Sequence, residues 1–485
     1  MLLTAQLLLN YQRCARRAFL DAYGDPSQKV PPSDFLLKLG QDALEHQRLV
    51  LANYTWVRPV YPKGDWPAGA QATLELMQQG VEQIHQGVLL TTDESGLVLV
   101  SSPDLLVKQP GLSIFGDWLY TPIDIKLSKR PKLEYQIILT FHVYLLATMQ
   151  GAWPETAWLC IRDKGQLAID LWQTLPQMQA LLAELILILN QQQEPEIFIA
   201  RNSCNLCTWF DHCYGIAQAE QHLSLLPGVT TSRYAILQQQ NLTTLEALAQ
   251  AEPTQLAVLP GFGSEIANKL VRQAQAVMHN QPLPHPHLAS FATNFPLPTS
   301  PIELYFDIEA EPGLNLAFLH GVLVVDRQQQ TDRFHPLLAE RPEDEAIAWQ
   351  QFLDLVHTYP TAPIFHFCAY ETQTIERLAQ LYHTPPHVVK PLLARCVDLH
   401  KWVTHGVILP IENYTLKLIA RWMGFEWRDT EANGAQAICW YSEWLKTGDR
   451  QLLESIILYN EDDCRATWQV KDWLSVFLQS QQITS

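Results

Sequence analysis

The sequence predicts an α/β protein that is divided into several domains. Its 485 residues, 47% of them hydrophobic, can bury more than one core, and chains of this length commonly form two or three domains. Short runs typical of buried strands occur at residues 120–127 and 302–309, and a long helical pattern covers residues 452–478. Residues 280–301 are proline-rich and show neither pattern, which predicts an extended linker between folded units.

Composition and the first residues restrict the class of protein. The apolar run at the start of the chain ends at Asn10 and Arg13 without a small-residue cleavage site, so we expect no secretory signal and no membrane span, and a cytoplasmic location. The formal net charge of −17 argues against nonspecific coating of DNA, although basic residues cluster at 13–17 and 126–132. The sequence lacks the phosphate-binding loop of ATP-driven motors.

Four of the nine cysteines form a spaced group that predicts a metal or cluster site. Disulfides are rare in a reducing compartment, so closely spaced cysteines are more often ligands there. Four thiolates are the ligand set of an iron–sulfur cube, and they also suit structural Zn²⁺. We expect the other five cysteines to be core residues. The group consists of Cys14, Cys204, Cys207 and Cys213.

The amino-terminal half contains a candidate hydrolytic site. Asp124 and Lys126 lie two residues apart in a predicted strand, so their side chains project to the same side. Asp104 follows a Ser-Pro pair between two runs that predict a hairpin, and His46 lies on a predicted helix. Asp104 and Asp124 would hold Mg²⁺ or Mn²⁺ to polarise a phosphate and supply hydroxide, while Lys126 orients the water. Taken singly, each residue also fits an ordinary surface or core position.

In this order, and within the span of the four cysteines, the segment resembles the RecB-like branch of the PD-(D/E)xK nucleases, including members that carry an iron–sulfur cluster. The resemblance implies a restriction-endonuclease-like core. It implies a [4Fe–4S] cluster on the four cysteines, with Zn²⁺ as the alternative. Asp124 stands where Glu is commoner in the family, and Phe141 stands near the position of a family Tyr. The implied site residues are the metal ligands His46, Asp104 and Asp124, with Lys126 and Gln136 as catalytic residues.

Two similar turns in the central region, at residues 226–229 and 259–263, are each followed by a helical pattern. They resemble helix–hairpin–helix elements, in which backbone N–H groups at a helix start contact phosphates without reading bases. Ordinary turns between helices are the alternative. The resemblance implies that the second turn contacts DNA through Gly261, Gly263, Lys269 and Arg272.

The carboxy-terminal half carries a second acidic set. Asp307 and Glu309 share one face of a predicted strand, and Tyr459 and Asp463 are four residues apart on a predicted helix. Glu371 follows another predicted strand, with Asp398 as its alternative, and Asp462 competes with Asp463. The set resembles the DEDD exonucleases of the ribonuclease H-like fold, in the variant with Tyr in the last motif. The resemblance implies that Asp307, Glu309, Glu371 and Asp463 bind two metal ions and that Tyr459 orients the attacking water.

Together these features predict four segments: a RecB-like nuclease domain at 1–220, a helix–hairpin–helix region at 221–280, a linker at 281–300 and a ribonuclease H-like domain at 301–485. The predicted function is a metal-dependent DNA nuclease, most simply an exonuclease, acting in repair or recombination on single-stranded or end-containing DNA. A noncatalytic DNA-binding scaffold and an RNA-processing exonuclease are the alternatives. A separate helicase is a candidate partner.

Overall fold

The computed structural model describes residues 2–92, 96–294 and 297–483. These residues form two compact units. The first comprises Met1–Ile197 and Arg201–Tyr214, and the second comprises Phe198–Ala200 and Gly215–Ser485. Among the described residues, every helix is too short or too polar to cross a lipid bilayer.

The first unit combines two sheets with helices on both sides. Its strands are β1 (Leu2–Thr4), β2 (Gln83–His85), β3 (Leu89–Thr92), β4 (Val98–Ser101), β5 (Leu105–Ser113), β6 (Gly116–Lys126), β7 (Trp158–Ile161) and β8 (Gly165–Ala168). Its helices are α1 (Ala5–Arg13), α2 (Ala15–Tyr23), α3 (Asp34–Leu51), α4 (Trp66–Gln78), α5 (Leu133–Gln150), α6 (Leu171–Gln191), α7 (Arg201–Cys204) and the start of α8 (Phe210–Ala219).

Strand β6 positions the candidate site of this unit. The larger sheet has the order β2-β5-β6-β7-β8, in which β6 pairs antiparallel with β5 and parallel with β7. Ile123 and Ile125 pack on one face beside Leu51 of α3, whereas Tyr120 packs on the other face beside α5. Because strand residues alternate, Asp124 and Lys126 project toward α5.

The hairpin predicted around Asp104 does not form. Strand β4 pairs with β1 and β3 in a separate sheet of order β1-β4-β3, while β5 pairs with β2 and β6. Asp104 therefore lies where the chain passes from one sheet to the other. A short loop after a strand looks the same in sequence whether the next strand pairs with it or crosses over, so the pattern alone could not separate the two arrangements.

The second unit contains a mixed sheet with helices on both faces. Its strands are β9 (Leu283–Pro284), β10 (Ile302–Glu311), β11 (Leu316–Asp326), β12 (Thr331–Leu338), β13 (Ile364–His366), β14 (Cys396–Asp398) and β15 (Val407–Ile408). Its helices are α9 (Thr231–Gln239), α10 (Leu245–Ala249), α11 (Pro253–Ala257), α12 (Gly263–His279), α13 (Leu288–Asn294), α14 (Glu345–Thr358), α15 (Tyr370–Leu381), α16 (Pro386–Leu393), α17 (Leu399–Gly406), α18 (Leu416–Trp422), α19 (Gly434–Thr447) and α20 (Arg450–Ile483).

Strand β10 is the centre of this sheet, whose order is β12-β11-β10-β13-β14. It pairs antiparallel with β11 and parallel with β13. Leu304 and Phe306 pack on the face covered by α14, whereas Tyr305 packs on the opposite face in one cluster with Val470 of α20. The alternation continues along β10, so Asp307 and Glu309 are directed to the α20 face.

The segment predicted as an extended linker instead forms regular structure within the second unit. Strand β9 pairs antiparallel with β15, and α13 follows it. Helix α12 of the central region also joins this unit, because Gln273 donates a hydrogen bond to the Leu409 carbonyl oxygen (2.6 Å). Proline is tolerated in such short edge pairings, which explains why a proline-rich sequence could adopt them.

Candidate metal-binding and hydrolytic sites

Three carboxylates converge where β10 meets α20. One oxygen each of Asp307, Glu309 and Asp463 lies within 4.8 Å of the others. Asp307 and Glu309 come from the same face of β10, and Asp463 comes from the helix that covers that face. Within the part of the chain that the structure describes, these residues form the one group of three or more Asp, Glu, His or Cys ligand atoms this close together.

Glu309 and Asp463 are buried and Asp307 is half-buried, so ionisation of all three carboxylates is unfavourable. The exposed fraction is 6% for Glu309 and 9% for Asp463. Burial raises the pKa of Asp463 to about 6, and burial together with the neighbouring carboxylates raises the pKa of Asp307 and Glu309 well above their usual range. A buried acidic cluster must take up protons or a cation, and an all-oxygen ligand set suits Mg²⁺ or Mn²⁺. The residues therefore fit a divalent metal site.

Asn460 contacts the same cluster from α20. It is 0% exposed, and its Nδ2 donates to Asp307 Oδ2 (2.6 Å). Gly321 on β11 pairs with Asp307 and makes this contact sterically feasible, because a Cβ atom there would lie 1.6 Å from Asn460 Oδ1. Sequence reasoning missed both residues, although Asn460 directly follows Tyr459 in the last motif.

Two further side chains donate hydrogen bonds to Asp463. Trp427 Nε1 donates to Asp463 Oδ1 (2.7 Å), and the Tyr459 hydroxyl donates to the same carboxylate from one turn earlier on α20. Asp462 points elsewhere, since its carboxylate accepts hydrogen bonds from the Arg428 backbone and side chain (2.9 and 2.7 Å). Asp463, four residues after Tyr459, is therefore the acid that Tyr459 contacts, whereas the adjacent Asp462 pairs with Arg428.

Glu371 lies beside this cluster and Asp398 has a different role. The Glu371 side chain is buried at the start of α15, and its charge raises the pKa of both Asp307 and Glu309. His366 Nδ1 lies 3.4 Å from Glu371 Oε2. Asp398 caps α17 by accepting from the Lys401 N–H, and it also accepts from the Cys368 N–H. Glu371 is thus the better placed fourth acid.

Comparison with known proteins agrees with this arrangement. Residues 304–475 match the RNase_H_2 family model of the RNase H superfamily. This region is a ribonuclease H-like domain. No curated protein matches the chain. The match covers β10, which carries Asp307 and Glu309, and the part of α20 that carries Tyr459 and Asp463.

The first unit holds a separate group in which two carboxylates share a lysine. Lys126 Nζ lies 3.0 Å from Asp124 Oδ2 and 3.6 Å from Asp104 Oδ2. Asp104 also accepts from the Ile125 N–H (2.6 Å), and its own N–H donates to Asp124 (3.4 Å). Burial raises the pKa of Asp104, whereas Lys126 and His142 lower the pKa of Asp124 despite its burial. The pair therefore contains one carboxylate that ionises easily and one that retains its proton longer.

His142 completes this group and was not predicted. Its Nε2 lies 3.5 Å from Asp124 Oδ1, and both side chains are buried. Helix α5, which carries His142, packs on the face of β6 to which Asp124 projects. The only sequence signal was a histidine within a long apolar helix, and that pattern is more typical of a core position. Together with Lys126, these residues line a cavity of about 260 Å³.

His46 and Gln136 are not among the residues that line this cavity, so their roles there stay predictions. His46 lies on α3, which packs on the opposite face of β6, and burial together with Arg162 lowers its pKa. The next residue, Gln47, donates to Asp104 Oδ1 instead (2.6 Å). Gln136 donates to the Pro131 carbonyl oxygen (2.8 Å) and does not line the cavity. Consecutive helix positions differ in direction by about 100°, so the adjacent residues His46 and Gln47 point to different sides of α3.

The four grouped cysteines all belong to the first unit. Cys14 lies between α1 and α2, where its Sγ accepts a hydrogen bond from the Arg17 N–H (3.4 Å). Burial raises the pKa of the Cys207 and Cys213 thiols, and the charge of Cys14 adds to this rise. Cys207 and Cys213 pack against Trp209, and Cys204 ends α7. A zinc ion with Zn–S bonds of about 2.3 Å needs sulfurs roughly 3.8 Å apart. Among the described residues, the cysteines do not form a group of three ligand atoms within 4.8 Å of one another.

The hairpin residues of the central region divide into two groups. Gly261 and Gly263 both have positive φ angles (75° and 70°) and face open space, as an exposed hairpin requires. Lys269 and Arg272 are half-buried, and their contact with DNA stays a prediction. Burial lowers the pKa of Lys269, and Arg272 donates to the Pro284 carbonyl oxygen (2.9 Å). Both side chains lie near the segment of the second unit that contains Pro284 and His285.

Proposed function

We propose that this protein is a metal-dependent nuclease that hydrolyses phosphodiester bonds of DNA. The observation that carries the proposal is the convergence of Asp307, Glu309 and Asp463 inside a ribonuclease H-like domain. Domains of this superfamily that act on nucleic acids hydrolyse them with divalent metal ions held by such carboxylates. Carboxylates that are crowded together and shielded from solvent are costly to maintain for stability alone, which favours a catalytic role.

The residues around the carboxylates have distinct roles in this proposal. Asp307, Glu309 and Asp463 would hold Mg²⁺ or Mn²⁺, with Glu371 as the fourth acid. The ions would supply charge stabilisation for the attacking and leaving oxygens of the phosphate. Tyr459 is hydrogen-bonded to Asp463 and would orient the attacking water. Asn460 fixes one oxygen of Asp307, so that the other oxygen stays available as a ligand.

We further propose that the first unit is a second hydrolytic centre of the RecB-like type. Asp104 and Asp124 would be its metal ligands and Lys126 its water-positioning residue, since Lys126 already bridges both carboxylates. His142 lies beside Asp124 and is an additional candidate for this centre. The four cysteines would hold a [4Fe–4S] cluster, which the resemblance to the RecB-like nucleases favours over zinc.

Single-stranded or end-containing DNA is the substrate we propose, in repair or recombination in the cytoplasm. The exposed turn at Gly261 and Gly263 supports backbone contact that is independent of base sequence. Exonuclease action and cooperation with a separate helicase belong to the same proposal. RNA remains the competing substrate, because many ribonuclease H-like domains act on it.

The proposal is tested by cleavage of end-labelled single-stranded DNA and RNA with Mg²⁺, Mn²⁺ or EDTA. We expect DNA cleavage that EDTA stops, and that falls in Asp307→Asn, in Asp124→Asn and further in the double variant. Asp354→Asn, an exposed aspartate outside both sites, is the control. DNA binding without cleavage would favour the scaffold alternative, and preferential cleavage of RNA would favour the RNA-processing alternative.

A further inference from the structure

We propose that the cavity of the first unit contains a phosphate subsite formed by the amino terminus of α1. The cavity of about 260 Å³ is lined on one side by Asp104, Asp124 and Lys126 and on another by Thr4, Ala5 and Gln6, which begin α1. This inference rests on the proposed hydrolytic role of the first unit. The amino terminus of α1 would bind a phosphate of the substrate strand.

The first turn of α1 provides unpaired donors. Strand β1 pairs parallel with β4 and leads directly into α1, so the helix begins at the carboxyl end of two adjacent strands. Thr4 caps the helix by accepting from the Leu7 N–H (3.0 Å). The N–H groups of Ala5 and Gln6 have no acceptor within the helix, and the helix dipole makes this end favourable for an anion.

Two buried side chains that line the cavity also lack partners. The Ser101 side chain is 4% exposed, and its hydroxyl has no hydrogen-bond partner among the described residues. His142 is 3% exposed, and within the same described part of the chain its Nδ1 has none. Buried polar groups in proteins are almost always hydrogen-bonded, so each needs an explanation. A hydrogen bond from the Ser101 hydroxyl to a phosphate oxygen would provide the missing partner of Ser101.

The shape and charge of the cavity restrict the ligand. Its volume lies slightly below the roughly 300 Å³ at which pockets for drug-sized ligands begin, so it would admit a phosphate with its sugar but not a base pair. Trp66 and Tyr135 also line it and offer aromatic faces on which an unpaired base could stack. The ligand class is therefore a nucleotide unit of a single strand.

The test follows protection of the α1 amides by thymidine 5′-monophosphate, which has no phosphodiester bond to cleave. Hydrogen–deuterium exchange of residues 2–9 in the full chain is measured with Mg²⁺, with thymidine as the phosphate-free control. We expect the monophosphate to slow exchange at Ala5 and Gln6 and thymidine to have no effect. Equal protection by both compounds, or no protection by either, would overturn the subsite.

Two variants and a matched control test the assignment. Gln6→Glu places a negative charge beside the proposed phosphate, and Ser101→Ala removes the hydroxyl, so each should raise the half-saturating concentration about tenfold. Gln173→Glu makes the same charge change in the first turn of α6, outside the cavity, and should have no effect. Acidic residues stabilise the start of a helix, so Gln6→Glu should retain its fold.

The protection result can be distinguished from the result of the cleavage assay. Unaltered protection in both Gln6→Glu and Ser101→Ala overturns the subsite, even if the protein cleaves DNA. Protection that both variants weaken supports the subsite, even if the first unit shows no cleavage and the proposed nuclease role fails.

Discussion

Asp463 shows how a single residue of the proposed metal site can lower the stability of the folded protein. It accepts hydrogen bonds from Trp427 and Tyr459, which favour its charged form, yet its pKa is raised to about 6. Burial beside other carboxylates outweighs these hydrogen bonds. The folded protein therefore holds a proton there that the unfolded chain would release at a lower pH.

This difference predicts a stability change with pH. A carboxyl group whose pKa rises from 3.8 to about 6 on folding stabilises the fold below pH 4, and this contribution is lost as the pH rises through 6. The loss is on the order of 3 kcal/mol. At pH 8 in EDTA, Asp463→Asn should therefore melt at a higher temperature than the wild type while being inactive. Added Mg²⁺ should raise the melting temperature of the wild type alone.

The measurement is thermal unfolding at pH 5 and pH 8, with and without Mg²⁺. Asp326→Asn, at the end of β11 and away from the cluster, is the control. A wild type that is the more stable protein at pH 8 without metal would contradict the prediction.

Tyr459 should matter for the chemical step and not for metal binding. Its hydroxyl is hydrogen-bonded to Asp463 and would orient the attacking water in the proposed reaction, so Tyr459→Phe should lower kcat by about 10²-fold with little change in Mn²⁺ affinity. Tyr441→Phe is a matched control, because its buried hydroxyl donates to the Ala339 carbonyl oxygen outside the site. An equal loss of activity in the two variants would show a structural effect only.

The contact between α20 and β11 depends on one glycine. Gly321 lets α20 approach the sheet closely enough for Asn460 to reach Asp307. Phe334 also lies 3.0 Å from the position of a Cβ atom at Gly321, so an added methyl group would be crowded by a second side chain. Glycine is needed here for close approach and not for an unusual backbone angle.

We therefore expect Gly321→Ala to lose about 1–3 kcal/mol of stability and to weaken Mn²⁺ binding about tenfold or more. The double variant Gly321→Ala/Asn460→Ala should regain the stability, because the clash is removed, but not the metal affinity. Gly434→Ala, where a Cβ atom meets open space, is the control. Recovery of Mn²⁺ affinity in the double variant would show that Asn460 does not position Asp307.

The cysteine group connects parts of the first unit that are far apart in the chain. Cys14 lies at the junction of α1 and α2, whereas Cys204, Cys207 and Cys213 lie on and around α7 and α8. A cluster bound to all four would close a loop of nearly the whole first unit and so reduce the entropy of its unfolded state.

Anaerobic purification should accordingly yield a brown protein, and Cys207→Ser should bleach it. In calorimetry, Cys207→Ser should lower the transition of the first unit and leave that of the second unchanged. Cys439→Ser, outside the group, is the control. A colourless wild type that contains zinc would contradict the cluster.

Patterns of fixed period were readable from the sequence. Asp307 with Glu309 and Asp124 with Lys126 are pairs on strands, and Tyr459 with Asp463 is a pair on a helix. In each case the spacing alone determines that both side chains share a face, because strand and helix periods are set by the backbone. The α/β class could be predicted for the same reason, whereas the ribonuclease H-like domain was implied by the resemblance of the acidic set to the DEDD exonucleases.

Tertiary packing decided which faces meet. Gln47 contacts Asp104, His142 lies beside Asp124, and Arg272 donates to the Pro284 carbonyl oxygen. None of these contacts follows from local spacing, because the rotation of a helix against its sheet depends on side chains distant in sequence. Asn460 reaches Asp307 only because Gly321, on another strand, has no side chain. Local periodicity therefore determined which residues could act together, and the packing of α3, α5, α12 and α20 decided which of them do, since contact requires complementary volume from both elements.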